Sequence, residues 1–551
     1  MSAEALRLGS AVAGRGWPRP RTAEVAVRDG ARIDHFRRLS DRPDRAWTHV
    51  GVISEAAIGP ADLALIDGVL RARVPEADGA VIYEFYETGW QRAAEQVWTA
   101  PLRPSVPTAA ELGVPADLLG SVAAFDADWP QAVAEIGGAV YSYQRRPDQR
   151  WQRSACLRVG SEPVREASSS SVKVAQITGE RDATPTPWGE RTPTLSRSRS
   201  SAGIRGTDLG VRVEHCGRSF LLFGDTHWTR PWLVLRDSIA EVFSDGGLPE
   251  VRFHGSPLRV RGQGVTRGEY DVPLDAFGHG DAFYALFSSN HGRDRQVMGR
   301  SVLARCATAE PVIDPALRRR PIVFDTVATL SDWHFINVSV QRRPAAEVPG
   351  VGGDGEVLLI WGTGSYRSSE VRLAMLDAVA LDRLERLRGQ ISTAQLGLRY
   401  WDGDAWVGDE ESAAPLFRPG AYGELSVRWV PAVGQYAMLL ATGPGDAAGS
   451  AITLRWSTTP AGPWTTRLRL LDWVAEGMTP DPFTRFIKAS ADDPVAEAIF
   501  PAQAKGNGAA YAPYFFDARR DGADLLMRYT LSTWNPYQVV LMEHRLVPGE
   551  F

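Results

Sequence analysis

Apolar strands recur in five groups along the part of the chain that follows residue 172. Each group consists of two or three apolar strands and a more polar one, a pattern typical of the blades of a β-propeller. We therefore expect an all-β protein whose main domain is a five-bladed β-propeller. Residues 174–177 are expected to add a strand that closes the ring with the last blade. The five groups are residues 208–243, 266–305, 333–376, 421–466 and 510–547.

The residues before the first blade predict a separate domain. Residues 1–30 are rich in Arg, Gly and Ala and are typical of a flexible lead-in. Residues 31–160 predict a β-rich accessory domain. A run of serines within residues 161–172 predicts a polar linker, which leaves residues 173–551 for the propeller. Only short helices are expected, such as residues 377–387.

A weak repeat runs through the accessory domain. Aromatic residues and a Pro-Asp pair precede Trp47 and Trp151, and a third copy before Trp90 lacks the Pro-Asp pair. The repeats resemble those of bacterial β-propeller lectins, but three copies are too few to close such a propeller. Residues 62–76 are closer to a helical pattern. Two interpretations remain open, a small β core filled by aromatic residues and a lectin-like sugar-binding domain.

Composition and motifs exclude several classes of function. A formal net charge of −5 argues against a binder of nucleic acid or of anionic membranes. No apolar run approaches the roughly 20 residues that span a bilayer, so no membrane insertion is expected. Cys156, Cys216 and Cys306 match neither a disulfide framework nor a zinc site. We expect no cofactor, because Gly362-Thr363-Gly364 lacks the βαβ context of a nucleotide fingerprint, and no metal, because no His-x-x-x-His pair appears.

One predicted hairpin brings two aspartates near each other. Its apolar residues run from Val211 to Phe223 and are interrupted by a glycine-containing turn. Asp208 stands at the entrance and Asp225 at the exit, 17 positions later, so we expect their carboxylates to be neighbours. The pKa values of two close carboxylates split, which acid–base chemistry at neutral pH needs. The alternative is that both aspartates only cap turns.

Further acids stand where other strands begin. The innermost strands of a propeller direct their ends toward a central channel, so acids from different blades can converge there. Glycoside hydrolysis needs one carboxylic acid that protonates the leaving oxygen and one carboxylate that acts as base or nucleophile. For each acid taken singly, the base rate favours a solvated or turn role. The predicted catalytic carboxylates are Asp208, Asp225, Glu269 and Glu424.

Side chains suited to a sugar accompany these acids. An aromatic face stacks on the C–H surface of a sugar, while Arg, Asn and His bind its hydroxyls. The alternative for Trp361 and Trp534 is a place in the blade core. The predicted substrate-binding residues are Asp237, Asp271, His227, His334, Asn337, Tyr366, Arg367, Trp534 and Asn535.

Six motifs, taken in order, resemble the bacterial family catalogued as domain of unknown function 4185, some members of which are endo-D-arabinanases of glycoside hydrolase family 183. The resemblance covers roughly residues 173–547. It implies a five-bladed propeller and the cleavage of D-arabinofuranosyl linkages in mycobacterial-type cell-wall arabinan. The motifs are Gly206-Thr207-Asp208-Leu209-Gly210, Phe223-Gly224-Asp225-Thr226, residues 298–304, residues 423–427, Gly462-Pro463-Trp464 and residues 532–537.

Likeness to five-bladed furanosidases in general also implies roles for the acids. Asp208 is implied as base or nucleophile, Asp225 or Asp237 as the group that adjusts pKa values, and Glu269 or Glu424 as the acid. An acid–base separation of about 6.5–9.5 Å implies inversion of the anomeric centre, and one near 5 Å implies retention.

The expected partner is a polysaccharide or oligosaccharide, and we expect a monomer. The family resemblance implies an extracellular location, whereas residues 1–30 lack the hydrophobic core of a signal peptide, which is typical of a cytoplasmic protein. The alternative function is a non-catalytic carbohydrate-binding propeller, either a lectin or an adhesin.

Overall fold

The chain forms two compact units, of which the first consists mainly of residues 1–162 and the second of residues 163–367, 371–417 and 421–551. The computed structural model describes residues 7–14, 22–38, 48–66, 69–86, 89–94, 98, 106–112, 119–124, 131–136, 139–145, 151–159, 164–230, 236–244, 247–265, 271–289, 299–306, 321–364, 369–386, 389–417, 420–443, 446, 448–490, 492–495, 497, 499, 503 and 506–551.

The first unit contains three four-stranded antiparallel sheets. The strands of the first sheet are β1 (Arg7–Gly14), β2 (Thr22–Asp29), β3 (Arg32–Arg38) and β4 (Thr48–Ser54). Those of the second are β5 (Asp62–Ile66), β6 (Val69–Glu76), β7 (Gly79–Tyr86) and β8 (Gly89–Arg92). A short helix, α1 (Ala109–Leu112), precedes the third sheet. The strands of the third are β9 (Leu119–Ala124), β10 (Gln131–Ile136), β11 (Ala139–Arg145) and β12 (Trp151–Val159).

The helical interpretation of residues 62–76 is wrong, because this segment forms the antiparallel pair β5–β6. Leu70, Ala72 and Val74 are buried at alternate positions, which is the period of a half-buried strand. For two copies the weak sequence repeat corresponds to one sheet each, since Trp90 and Trp151 both lie in the fourth strand of their sheets, whereas Trp47 lies outside the described residues. The first unit is therefore β-rich, as expected.

The second unit is a five-bladed propeller. It opens with β13 (Arg165–Glu166) and β14 (Val172–Gln176), and helix α2 (Ser198–Ala202) precedes the first blade. Blade one contains β15 (Ile204–His215), β16 (Arg218–Trp228), β17 (Arg236–Phe243) and β18 (Glu250–Phe253). The strand β19 (Leu258–Arg261) links it to blade two, which contains β20 (Val272–His279), β21 (Ala282–Ser289), β22 (Arg300–Cys306) and β23 (Ile322–Ser331).

The remaining blades repeat this plan. Blade three contains β24 (Asn337–Pro344), β25 (Glu356–Thr363), β26 (Arg372–Leu376), helices α3 (Ala378–Arg386) and α4 (Thr393–Leu396), β27 (Arg399–Trp401) and β28 (Trp406–Val407). Blade four contains β29 (Leu425–Val430), β30 (Gln435–Ala441), β31 (Ala451–Ser457) and β32 (Leu468–Asp472), and blade five contains β33 (Ala510–Asp521), β34 (Asp524–Thr533) and β35 (Gln538–Leu546). Single turns of 3₁₀ helix at Ala345–Glu347 and Glu410–Ser412 and of π-helix at Trp473–Gly477 lie in the loops.

Strand β14 closes the ring, because it pairs antiparallel with β35 at the outer edge of blade five. This confirms the predicted closing strand. The inner strands β15, β20, β24, β29 and β33 contact one another in succession, and β33 returns to β15. The segment predicted as a linker contributes β13, which pairs in parallel with β32 of blade four.

Blade two is longer than the sequence pattern indicates. The predicted group ends at residue 305, whereas the outer strand β23 spans Ile322–Ser331. Strand β19 pairs in parallel with β23 and also bridges to β17, so that blades one and two form one continuous sheet. The predicted short helix at residues 377–387 is present as α3.

Apolar side chains fill the space between neighbouring blades. Phe220 of blade one, together with Phe283 and Phe287 of blade two, belongs to one cluster that extends into blade three. Each of these three side chains is fully buried. Burial of a phenylalanine contributes about 1.5–3 kcal/mol, so these contacts fix each blade against the next.

An ion pair between two inner strands lies inside the central channel of the propeller. Asp275 of β20 is completely buried, and Arg428 of β29 donates hydrogen bonds to both of its carboxylate oxygens at 2.7 and 2.9 Å. The same guanidinium donates to the carbonyl oxygens of Val340 and Arg212 at 3.2 and 3.3 Å. Ser339 adds a hydroxyl donor to Asp275 at 2.9 Å. One arginine thus connects the inner strands of four blades and forms a floor in the channel.

No helix within the described ranges is long and apolar enough to cross a bilayer.

Candidate active site

Each inner strand carries a polar residue at the same end. The Val427 amide donates to the Ser339 hydroxyl at 3.0 Å, and two residues further along both strands the Trp429 amide donates to the Gln341 side chain at 2.6 Å, so these neighbouring inner strands run side by side in one direction. Their starting ends therefore meet at one mouth of the channel, above the floor formed by Arg428. The residues at these ends are Asp208, Asp271, Asn337, Glu424 and Tyr511.

Asp208 is held by two tyrosines from blade five. Its Oδ2 atom accepts hydrogen bonds from the hydroxyls of Tyr511 at 3.0 Å and Tyr537 at 2.9 Å. The residue is 8% exposed. Two O–H donors on one carboxylate oxygen stabilise a negative charge there. This environment suits an ionised group.

The backbone around Asp208 departs from regular strand geometry. The pairing of β15 with β16 shifts register on both sides of Asp208, and Leu209 has a φ of 69°. Such irregularities change the direction of a side chain, so that it no longer follows the alternating pattern of a regular strand. The amide of Leu209 is satisfied by the Ser532 hydroxyl at 2.7 Å. The strained backbone therefore places the carboxylate at the channel mouth at a cost of about 1–3 kcal/mol.

Asp225 lies beside Asp208, as the hairpin pattern predicts. Asp208 pairs with Gly224 across β15 and β16, which makes Asp225 its neighbour on the opposite strand. Asp225 has a φ of 38° and remains partly exposed. Burial of its carboxyl group raises its pKa well above the ordinary value, and the negative charges of Asp208, Asp271 and Glu424 raise it further. Asp225 therefore keeps its proton to a higher pH than an ordinary aspartic acid does.

Asp237 stands behind Asp225. The backbone N–H of Asp225 donates a hydrogen bond to the Asp237 carboxyl group, which is 5% exposed. Its pKa is also raised well above the ordinary value, chiefly by burial and then by the charges of Asp225, Asp271 and Asp208. Five carboxyl groups, those of Asp208, Asp225, Asp237, Asp271 and Glu424, thus influence one another at this mouth.

His227, Trp534 and Tyr537 form an aromatic wall next to Asp208. The ring of Tyr537 meets the His227 ring edge-on at 5.5 Å and the Trp534 ring edge-on at 5.9 Å. Burial, with the nearby charge of Arg205, lowers the pKa of His227 to about 4, so this imidazole is neutral at neutral pH. Both His227 and Trp534 keep part of their surface exposed.

Other predicted binding residues have a different environment. Asn535 is fully buried, donates to the carbonyl oxygen of Gln503 at 2.9 Å and accepts from the Glu497 amide at 3.0 Å. The structure therefore places the Asn535 amide in the packing of a loop and not at the channel mouth. Trp361 is completely buried and donates to the Pro460 carbonyl, so its blade-core interpretation is correct.

Two residues of blade three lie at its inner edge. His334 is 3% exposed, its ring stacks on Trp333 at 4.0 Å, and its amide donates to Glu410. Asn337, which is 1% exposed, begins the inner strand, and its side-chain amide has no hydrogen-bond partner among the described residues. Of the two, Asn337 is the one that stands level with the carboxylates.

Three predicted site residues, Glu269, Tyr366 and Arg367, lie outside the described residues.

The two tyrosines that bind Asp208 were missing from the predicted site. Tyr537 belongs to one of the six motifs, at residues 532–537, so its position in that motif was the available signal. Tyr511 stands at the start of the last strand group, where the acids of the other groups were sought.

The arrangement places Asp208, whose Oδ2 atom accepts two hydroxyl donors, beside Asp225, whose pKa is raised by burial and by neighbouring negative charges. Acid-assisted displacement at an acetal carbon requires one carboxylate and one protonated carboxyl group. No set of three or more His, Cys, Asp or Glu side chains in the described parts of the chain has an arrangement that could hold a metal ion.

Residues 320–543 match the model of the family described as domain of unknown function (DUF4185). The match confirms the family resemblance for the end of blade two and for blades three to five. Of the five carboxyl groups at the channel mouth, it includes only Glu424. No curated protein shows a significant sequence match to this chain.

Several solved glycoside hydrolases are similar to this chain. A GH43_1 enzyme from Xanthomonas citri, complexed with xylotriose, is 12% identical, with coverage of 63% of this chain and 91% of that chain and a TM-score of 0.33. An exo-beta-1,3-galactanase from Phanerochaete chrysosporium is 9% identical, with coverage of 69% and 67% and a TM-score of 0.34. A family 117 glycoside hydrolase from Zobellia galactanivorans is 10% identical, with coverage of 69% and 92% and a TM-score of 0.32. Likeness at this level does not establish a shared activity.

Proposed function

We propose that this protein, whose residues 320–543 belong to the DUF4185 family, is a glycoside hydrolase that cleaves furanosyl linkages inside a polysaccharide chain. The observation that carries the proposal is the pair formed by Asp208 and Asp225. Asp208 receives two hydroxyl donors on one oxygen, whereas burial and neighbouring charges raise the pKa of Asp225. A carboxylate held by two donors beside a carboxyl group of raised pKa matches the needs of glycosidic cleavage.

Asp225 is the proposed acid. Its proton passes to the glycosidic oxygen as the bond from that oxygen to the anomeric carbon breaks. The family resemblance alone implied Glu269 or Glu424 as the acid. The raised pKa of Asp225 and its partly exposed position favour Asp225 for this role. Asp237 accepts a hydrogen bond from the Asp225 amide and adds to the local negative potential.

Asp208 is the proposed nucleophile or base. As a nucleophile it forms a bond to the anomeric carbon, and Asp225, now ionised, takes a proton from the water that later breaks that bond. As a base, Asp208 takes a proton from water that attacks directly. The nucleophile route releases a product with retained anomeric configuration, and the base route releases one with inverted configuration. Proton NMR of the fresh product distinguishes the two.

D-Arabinan of the mycobacterial cell-wall type is the proposed substrate. The support is the resemblance of the six motifs to a family that includes endo-D-arabinanases. The exposed parts of Trp534 and His227 supply surfaces that pack against and hydrogen-bond a sugar ring.

A panel of cell-wall polysaccharides tests the proposal. The wild-type protein is expected to release reducing ends from D-arabinan, and Asp208→Asn is expected to lose that activity while it still binds the polymer. Asp404→Asn is the matched control, since Asp404 is an exposed residue in the turn between β27 and β28. Binding of D-arabinan by the wild type without new reducing ends would contradict hydrolysis and support the alternative of a carbohydrate-binding propeller.

A further inference from the structure

A second cleft opens at the opposite end of the inner strands from the carboxylates. Arg343 and Trp429 are the next-to-last residues of β24 and β29, whereas Asn337 and Glu424 mark the starting ends of these strands. Five or six residues of extended chain separate the two ends, which corresponds to roughly 16–20 Å. The cleft has a volume of about 490 Å³ and is lined by Arg343, Glu347, Trp429, Tyr436 and Thr458.

The cleft has a fixed aromatic wall. Trp429 and Tyr436 pair directly across the hairpin of β29 and β30, and their rings meet edge to face with centroids 4.9 Å apart. The amide of Trp429 donates to the side-chain oxygen of Gln341 at 2.6 Å, which ties the hairpin to blade three. Side chains held in this way lose little conformational freedom when a ligand binds.

Arg343 is positioned over this wall. Its guanidinium carbon lies 4.2 Å from the centre of the Trp429 ring. The guanidinium also forms an ion pair with Glu347, whose side chain is 49% exposed. Thr458 adds an exposed hydroxyl. The cleft thus presents a donor, an acceptor and the exposed part of Trp429 without excess charge.

This combination favours an uncharged, hydroxyl-rich ligand. Glu347 neutralises Arg343, which removes the excess positive charge that a phosphate or a polyanion would require. Guanidinium groups only donate hydrogen bonds and carboxylates only accept them, so together they match the hydroxyls of a sugar, which do both. Trp429, which keeps part of its surface exposed, supplies an apolar contact for the C–H groups of the same sugar.

We propose that this cleft is a non-catalytic binding site for an uncharged saccharide chain. The proposal rests on the proposed function only for the identity of that saccharide, D-arabinan. A chain held at this end of the propeller keeps further linkages near the channel mouth and so raises their effective concentration. The site therefore raises the catalytic efficiency on a polymeric substrate. It leaves the turnover of a short substrate unchanged.

Affinity electrophoresis through gels that contain soluble D-arabinan tests the proposal. Trp429→Ala is compared with its parent in a chain that also carries Asp208→Asn, so that the polymer is not consumed. We expect the variant to bind about tenfold more weakly, which corresponds to the loss of one aromatic contact. Trp188→Ala is the matched control, because Trp188 is 86% exposed and lies outside the cleft; it is expected to bind like the parent.

Glu347→Gln is a second variant that leaves the aromatic wall intact. It removes the charge that pairs with Arg343 and is expected to weaken polymer binding severalfold, with an unchanged thermal unfolding temperature. Unchanged binding in both variants overturns the proposal, and so does a parent that the D-arabinan gel does not retard. A different result contradicts the proposed function, namely that the wild-type protein releases no reducing ends from D-arabinan. That result is independent of whether Trp429 contributes to binding.

Discussion

The hydroxyl of Tyr537 donates a hydrogen bond of 2.9 Å to Oδ2 of Asp208, although the two residues are 329 positions apart. Tyr511, 303 positions from Asp208, donates to the same oxygen at 3.0 Å. Closure of the ring brings blade five beside blade one and so creates both contacts. The same closure places Asp208, the proposed nucleophile or base, between two fixed donors.

Removal of one donor from Asp208 should slow catalysis. A hydrogen bond to a charged group contributes about 1.5–3 kcal/mol, so Tyr537→Phe is expected to lower kcat/KM on D-arabinan by about 10–150-fold. The acidic limb of its pH–activity profile should move to higher pH, since the ionised form of Asp208 is less stabilised. Steady-state kinetics over a range of pH measure both effects. Tyr86→Phe, in the first unit, is the control, and equal loss in that variant would contradict the assignment.

Asp225 should determine the alkaline limb of the pH profile. An acid catalyst works only while protonated, and burial together with neighbouring carboxylates raises the pKa of Asp225. Activity is therefore expected to persist above the ordinary range of a carboxylic acid and to fall as Asp225 loses its proton.

Asp225→Asn tests this role with two substrates. The variant should lose about 10²–10⁴-fold activity on D-arabinan, which needs a protonated leaving group. It should retain much more activity on a nitrophenyl arabinofuranoside, whose leaving group needs little protonation. Equal losses on both substrates would assign Asp225 another role.

Asp237→Asn should stabilise the propeller at neutral pH. The folded-state pKa of Asp237 is raised above its unfolded value, so wild-type stability falls as pH rises from the unfolded pKa toward the folded one. Asparagine cannot ionise and does not carry this cost. We expect a gain on the order of 1 kcal/mol at pH 7 and almost none at pH 3, measured by denaturant unfolding. An equal gain in stability at pH 3 and at pH 7 would show that ionisation of Asp237 is not the cause of the gain.

Arg428→Met should destabilise the propeller by about 3–5 kcal/mol, because it leaves the buried carboxylate of Asp275 without its cation. Adding Asp275→Asn should recover part of the loss, since no buried charge then remains. Arg252→Met is the control, because Arg252 and its partner Glu250 are 53% and 56% exposed and such a pair contributes at most about 1 kcal/mol. Thermal unfolding of the three variants and the wild type gives the comparison, and similar losses for Arg428→Met and Arg252→Met would contradict the role of the axial pair.

Local patterns were sufficient to predict the propeller. Runs of apolar residues and their turns identify the five blades, and the position of residues 174–177 predicted the strand that closes the ring. The nearness of Asp208 and Asp225 was predictable because both belong to one hairpin, within which strand pairing brings the two ends together.

Contacts between distant strands escaped prediction. Nothing local to Asp275 distinguishes it from any other residue of an inner strand, since Arg428 and Ser339, which bind its carboxylate, belong to other blades. Asn535 has the side chain of a sugar-binding residue, yet its amide is used by backbone groups of residues 497 and 503. The strand β23 was missed because its apolar residues begin well after those of β22.

The release of oligosaccharides from D-arabinan, followed by mass spectrometry, tests the central claim most directly. The account predicts a ladder of arabinose oligomers from the wild-type protein, and no ladder above background from Asp208→Asn at the same concentration. A ladder of equal yield from Asp208→Asn, or an intact polymer after incubation with the wild type, would contradict cleavage by this pair of carboxyl groups.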